Sequence, residues 1–382
     1  MRFLVAFDKF KDSMSAETIC GLSNKALRKC QPDATVESTP LTDGGEGFSL
    51  ILSAARNGWL ENLQVTGPLG KQQHTRIAWV RSENLPSHLR TLLKAPETGQ
   101  IAIIEMAQCS GLELVPTNER NPMLTTSYGT GEAIQHAAEH SARLILLGIG
   151  GSATSDCGIG AIQALGLQIN EKNIPWTPIQ WDANSTWVPQ MKKLPPLRIA
   201  CDVQNPLLGE NGANAVYGSQ KGMTEETYPI LEKTFEQVSK RLIALFNRNE
   251  NCSEEPSSGA AGGIGFGLSC AYDDTLYIPG FDLVSQWLDL EGEVKKSDCI
   301  LTGEGRFDAS SLSGKGPGTL IELAKKYKKP IHVFAGKITD EAREMAPKEA
   351  HLHQIAPPGV SVEEAILNEK KNLVNELLKT FS

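Results

Sequence analysis

Short apolar runs recur along the chain, and most of them break into glycine-rich or charged turns followed by apolar residues at helical spacing. Arg2 to Phe7 reads as a buried strand, and Ser15 is placed to cap a helix through Cys30 with Ile19, Leu22, Ala26 and Leu27 as its stripe. Thr35 to Leu41 predicts a second strand, with a helix behind it reaching Asn57. Leu63 to Arg81 reads as two strands joined through Gly67-Pro68-Leu69-Gly70, a crossing point between domains, whereas Ser82 to Gln100 has no clear period and is expected to be a loop. Strands are predicted at Ile101–Met106, Leu144–Gly148 and Leu197–Val203, and helices at Glu132–His140, Asp156–Leu165 and Glu225–Asn247. Over the last hundred or so residues, strand and helix alternate without a hairpin signal, from Cys299 to Thr302 through to Val362–Leu378. That alternation predicts an α/β fold with a parallel, doubly wound sheet.

Two stretches break the rhythm. Asn170 to Pro196 carries Trp176, Trp181 and Trp187 among prolines and reads as a packing excursion. Gly259 to Gly267 is too glycine-rich for an ordinary helix, and its small residues suit either close backbone packing or close approach to a nucleotide.

Polar residues gather where strands end, which is where open α/β sheets bind ligands. Gly148, Gly150, Gly151, Ser152, Ala153 and Thr154 follow one strand directly, and the helix beyond is expected to turn unpaired N–H groups outward, a favourable setting for phosphate. Gly148, Gly150 and Ala153 also fit the dinucleotide spacing G-x-G-x-x-A with Glu171 downstream, so an NAD(P)-dependent dehydrogenase is a rival reading. Asp8, Lys9, Lys11 and Asp12 follow the first strand. In Thr42-Asp43-Gly44-Gly45-Glu46-Gly47 the two carboxylates suit Mg²⁺ or a substrate hydroxyl, or else Glu46 only complements a helix dipole. Asp202, with Asn205 shortly after, fits a general base, a metal ligand or a turn cap. Glu304, Arg306, Asp308 and Lys315 make a dense charged loop able to meet phosphate or carboxylate oxygens, although Ala309 stands where a P-loop would need its first glycine.

Composition narrows the classes. A chain of 382 residues points to two domains. A net charge of -8 argues against a nucleic-acid partner, which would need a basic face. No apolar stretch approaches a membrane span, and the start of the chain does not read as a signal peptide. Eight scattered cysteines without a C-x-x-C pair read as reduced thiols, giving an expected cytoplasmic location. His351 and His353 fit a surface strand better than a metal site.

Taken together, AFDKFKDSMSA, PLTDGGEG, IIEMAQCSGLELV, TTSYGTGEA, GIGGSATSDCGIGAIQALG, ACDVQNPLLG, GSQKG, GAAGG and TGEGRFDASSLSGK, in this order and spacing, resemble the type I glycerate kinases over nearly the whole chain. The resemblance implies two α/β domains: a Rossmann- or flavodoxin-like parallel sheet built from both chain ends, 1–70 plus 284–382, and an inserted α/β domain, 71–283, with the active site in the cleft. It implies ATP-dependent, Mg²⁺-assisted phosphorylation of D-glycerate, usually at the 2-hydroxyl, with 3-phosphorylation as the alternative, by a monomer or homodimer. Asp202 is then the first choice for the base and Asp8 the second. Lys11, Arg306 and Lys315 would bind the glycerate carboxylate or the moving phosphoryl group, with Gly44, Gly45, Asn205, Glu304 and Asp308 around the substrate. Gly150, Gly151, Ser152, Ala153, Thr154, Asp156, Gly262 and Gly263 would hold ATP, and Asp43 and Glu46 would place Mg²⁺. This chain departs from the family's pattern at Phe7, Lys9, Tyr128 and Cys157, which bears on substrate contacts more than on the reaction.

Overall fold

A computed structural model describes residues 1–11, 13–170, 174–312 and 316–382. The chain divides into two compact units, Met1–Asp43 with Val284–Ser382, and Gly44–Leu283.

The first unit is built on a five-stranded sheet in which every neighbouring pair is parallel. Arg2–Phe7 lies between Thr35–Ser38 and Cys299–Phe307, and Ile331–Ile338 and Ala350–Gln354 continue the sheet beyond. Numbered within the unit, the order is 2-1-3-4-5, the flavodoxin-like arrangement whose direction reverses between strands one and three. The Gly44–Leu283 segment enters the chain between strands two and three. Phe3, Val5, Phe7, Cys299 and Leu301 bury one face under the helices Ala16–Cys30 and Val362–Phe381, through Ile19, Leu27, Leu373 and Leu377. Leu4, Ala6 and Ile300 alternate to the other face and are also buried, as a parallel sheet covered on both sides requires. Ser15 caps the first helix, its hydroxyl accepting from Thr18 N–H at 3.3 Å. His353 lies in the strand Ala350–Gln354 but is half-buried, its Nε2 3.0 Å from His332 Nδ1.

The second unit holds a six-stranded mixed sheet in the order Thr275–Ile278, Leu197–Ala200, Ala142–Gly148, Gln100–Glu105, Gln72–Arg81, Trp59–Thr66. The first four strands are mutually parallel, Gln72–Arg81 runs antiparallel to both its neighbours, and Trp59–Thr66 returns to the common direction. Gly67-Pro68-Leu69-Gly70 is therefore a hairpin turn inside this unit and not a crossing between domains. The boundary expected near residue 70 moves to Asp43/Gly44, because the ladder from Trp59↔Trp79 to Thr66↔Gln72 ties 59–66 to the inserted sheet.

Two other expectations change here. Ser82 to Gln100 contains the helix Ser87–Leu93, with Leu85, Leu89 and Leu93 buried at a four-residue interval behind Pro86. The glycine-rich run after Gly259 does form a helix, Ile264–Ala271, because Gly265 lies against the Tyr277 ring and Gly267 against the Cys157 carbonyl, where a Cβ would fall 2.3 and 2.1 Å from its nearest atom. Packing overrides propensity there. The tryptophan-rich stretch packs as expected: Trp176 and Trp187 join Phe235, Val238 and Leu242 of the helix Tyr228–Leu245, and Arg241 stacks 4.6 Å over the Trp187 ring.

Candidate functional site

In the first unit, parallel pairing puts the residues after Phe7 beside those after Thr302, at the carboxyl end of the sheet and at its reversal point. Asp8 N–H donates to the Gly303 carbonyl at 3.1 Å. Gly305 lies against the Phe10–Lys11 backbone, where a Cβ would come within 3.3 Å of Lys11 N, and a Cβ on Gly316 would fall 3.6 Å from Asp8 Oδ2. Asp8, Lys11, Glu304, Arg306 and Asp308 thus belong to one cluster, but Glu304 and Arg306 are not in a loop: the strand expected to end at Thr302 runs on to Phe307, pairing Glu304 with Ala335 and Arg306 with Lys337, and Asp12 and Lys315 lie outside the described residues.

Carboxyls crowd this cluster. Burial, then the charges of Asp43 and Glu304, push the Asp8 carboxyl up to about 7. Glu304 is likewise pushed up to about 7, by burial first and then by Asp308 and Asp43, and its Oε1 is buried without a hydrogen-bond partner. Asp308 takes a different part. It accepts from Ser310 N–H at 3.0 Å and from the Ser310 hydroxyl at 2.6 Å, and this hydroxyl bond holds its carboxyl below the usual range. Arg306 reaches out from the strand end, 3.5 Å from Asp308 and two-thirds exposed.

In the second unit, Gly44–Gly45, the 148–156 turn and Gly262–Gly263 meet. Gly150 N–H donates to the Gly44 carbonyl at 3.1 Å, and a Cβ on Gly150 would fall 2.7 Å from Gly45 Cα. A Cβ on Gly262 would fall 2.0 Å from the Thr154 carbonyl, and the Gly262 carbonyl accepts from Cys157 N–H at 2.9 Å. These glycines serve backbone-to-backbone packing. The turn is pinned further by Ala153 N–H to the Ser110 carbonyl, 2.9 Å, and by the Lys221 ammonium on the Thr154 carbonyl, 2.6 Å. Thr154 Oγ1 is buried and has no hydrogen-bond partner.

The helix beyond the turn differs from its sequence reading. It spans only Ile159–Ala164, and its first donors do not point outward. Asp156 accepts from Ser127 N–H and the Ser127 hydroxyl, both at 2.8 Å, from Gly158 N–H at 3.1 Å and from Gly160 N–H at 3.2 Å, while the Ser127 hydroxyl oxygen accepts from Ala161 N–H. Asp156 therefore braces the turn from inside instead of facing a cofactor, and the helix terminus is no anion site.

A similar substitution occurs at the helix Phe48–Ala54. The carboxylate at its amino end is buried Glu105, accepting from Gly47 N–H at 3.1 Å and Ser49 N–H at 3.2 Å, and not exposed Glu46. Sequence reading missed Glu105 and Ser127; the one available signal is a lone acid or hydroxyl beside an apolar run. Asp202 accepts from Phe281 N–H with both oxygens, at 3.1 and 2.9 Å, at the start of the helix Gly280–Trp287. Asn205 accepts from the Tyr217 hydroxyl at 2.7 Å and donates to the Asn211 carbonyl at 2.8 Å.

Asp43 closes the first unit, while Glu46 lies in the second. Among the described residues, three or more His, Cys, Asp or Glu donors come within metal-binding reach only at Glu61, His136 and His140.

The glycerate kinase family profile matches residues 3–381. The chain belongs to the glycerate kinase family. It is 37% identical over 354 residues to a glycerate 2-kinase of Escherichia coli (strain K12), covering 89% of this chain and 86% of that protein. It is 34% identical over 381 residues to a glycerate kinase of Bacillus subtilis (strain 168), covering 96% and 93%. Among solved structures it resembles one assigned to glycerate kinase 2 of Salmonella typhimurium LT2, with a TM-score of 0.74, 32% identity, and 100% and 97% of the two chains covered. This glycerate kinase family member is a kinase, and the dehydrogenase reading falls with the family match; Gly148 and Gly150 are small because the Gly44–Gly45 backbone lies against them. Glu171 lies outside the described residues. Among the described residues no helix is long and apolar enough to cross a membrane.

Proposed function

We propose that this kinase transfers the γ-phosphoryl group of ATP to the 2-hydroxyl of D-glycerate, giving 2-phosphoglycerate, in the cytoplasm and with Mg²⁺. The supporting observation is the cluster at the reversal point of the parallel sheet, where Asp8 and Glu304 are half-buried next to the charge of Asp43. The buried, unpartnered Glu304 Oε1 fits a cation ligand. Asp43 and Glu304 would hold Mg²⁺, which offsets charge on the transferring phosphoryl group. Glu46 stays a second candidate ligand.

Asp8 takes the hydroxyl proton in this reading, ahead of Asp202. Burial is the largest cause of its raised proton affinity, so the carboxylate is matched to neutral pH, whereas both Asp202 oxygens already accept from Phe281 N–H. Lys11, Arg306 and Lys315 are the cations for the glycerate carboxylate and the phosphoryl oxygens. For ATP we favour the turn Gly150–Thr154, where Thr154 Oγ1 still lacks a partner. Gly44, Gly45, Gly262 and Gly263 shape that turn by packing on it.

The test is an assay with ATP, Mg²⁺ and D-glycerate, followed by NMR of the product. 2-Phosphoglycerate is expected; 3-phosphoglycerate alone, or turnover of NAD(P)H without ATP, would overturn the proposal.

A further inference from the structure

The second unit carries a side-chain cluster that the kinase chemistry does not use. His136 lies in the last turn of the helix Tyr128–Glu139, and His140 caps its end, so a four-residue spacing sets both imidazoles on one face. Their rings stack with centroids 3.8 Å apart. Glu61, on the neighbouring strand Trp59–Thr66, places Oε1 2.8 Å from His136 Nε2. One donor atom from each of the three residues lies within 4.8 Å of the others.

The surroundings orient these donors as the outer shell of a metal site does. Buried Trp79 donates its Nε1–H to Glu61 Oε2 at 2.8 Å, leaving Oε1 to face the histidines. His140 is exposed, and its Nδ1 lies 2.9 Å from the His136 carbonyl, which only accepts, so the proton sits on Nδ1 and the lone pair on Nε2. The carboxyl end of a helix also favours a cation.

We propose that Glu61, His136 and His140 bind a divalent transition-metal ion of the Zn²⁺ class, with solvent completing the coordination. Tetrahedral Zn²⁺ separates its ligand atoms by about 3.4 Å, so the side chains need only small rotations from their present spacing. On binding, the ion takes the place of the proton between His136 Nε2 and Glu61 Oε1; that proton transfers through solvent to Nδ1, so His136 binds as the neutral Nδ1–H tautomer with no net proton release.

Zn²⁺ titrated into the EDTA-treated full-length protein, followed by calorimetry, tests this. Wild type should bind one equivalent that His140→Ala and, separately, Glu61→Gln weaken by about tenfold or more, since even outer-shell changes cost 10–100-fold. His140 is exposed, so its variant should keep the wild-type thermal midpoint and zinc-free kinase activity. Zinc isotherms unchanged in His140→Ala, or no zinc uptake by wild type, would overturn the proposal.

Discussion

The ammonium of Lys221 donates to the carbonyl oxygen of Thr154 at 2.6 Å, at a point in the second unit where both residues are buried. Burial pulls the Lys221 amine down to about 8, and the Asp156 charge partly opposes this. Lys221→Met removes a charged hydrogen bond and leaves the Thr154 carbonyl without that donor. A loss of about 1.5–3 kcal/mol is expected, read as a lower denaturation midpoint. An unchanged midpoint would mean that the turn is held by its other bonds alone.

The raised carboxyls of Asp8 and Glu304 set a pH dependence. Both bind protons more tightly folded than unfolded, so folding is favoured below the unfolded carboxylate range and that advantage is lost as pH rises from about 4 through about 7. In EDTA, the wild-type melting temperature should fall across this window relative to Glu304→Gln. Parallel pH profiles for the two proteins would count against the burial of Glu304 as a strained acid.

Two glycines should respond oppositely to the same substitution. Gly262 sits at φ +71 with its missing Cβ 2.0 Å from the Thr154 carbonyl, so Gly262→Ala should cost several kcal/mol and most of the soluble protein. Gly21, inside the helix Ala16–Cys30, has nothing within 4 Å, and Gly21→Ala should stabilise by about 0.5–1 kcal/mol. Chemical denaturation of both variants decides it.

The proton acceptor can be assigned by comparing Asp8→Asn with Asp202→Asn. We expect kcat to fall about 10²–10⁴-fold in the first. The second keeps an acceptor for Phe281 N–H and should stay within about tenfold of wild type. The reverse pattern would return the base to Asp202.

Arg306 is largely exposed and its nearest carboxylate, Asp308, is 3.5 Å away, so Arg306→Ala should change stability by less than about 0.5 kcal/mol. A raised KM for glycerate at nearly constant stability is the expected outcome. An unchanged KM would remove Arg306 from the substrate site.

Much of the fold is legible along the chain. The alternation at both ends predicts a parallel α/β sheet, and Phe3, Val5, Phe7, Ile19 and Leu27 stand where that pattern requires them. The misreadings have physical causes. Leu89 and Leu93 form a helical stripe too short to stand out behind Pro86, and the glycines at 265 and 267 hide a helix because their small size answers to Tyr277 and Cys157 on other elements. A glycine-proline turn such as 67–70 looks alike in a hairpin and in a domain crossing, and only the pairing of the flanking strands separates the two.

By itself, then, the sequence determined the element rhythm, the polar loops at strand ends and the family, since these depend on period, turn chemistry and ordered motifs. Only the tertiary structure decided what each polar group does there. Asp156 and Glu105 became braces, and Asp8 and Glu304 became strained acids, because burial, shared donors and neighbouring charge are properties of packing between segments distant in the chain. Periodicity cannot carry that information: it reports which face of an element is buried, not which partner waits on it.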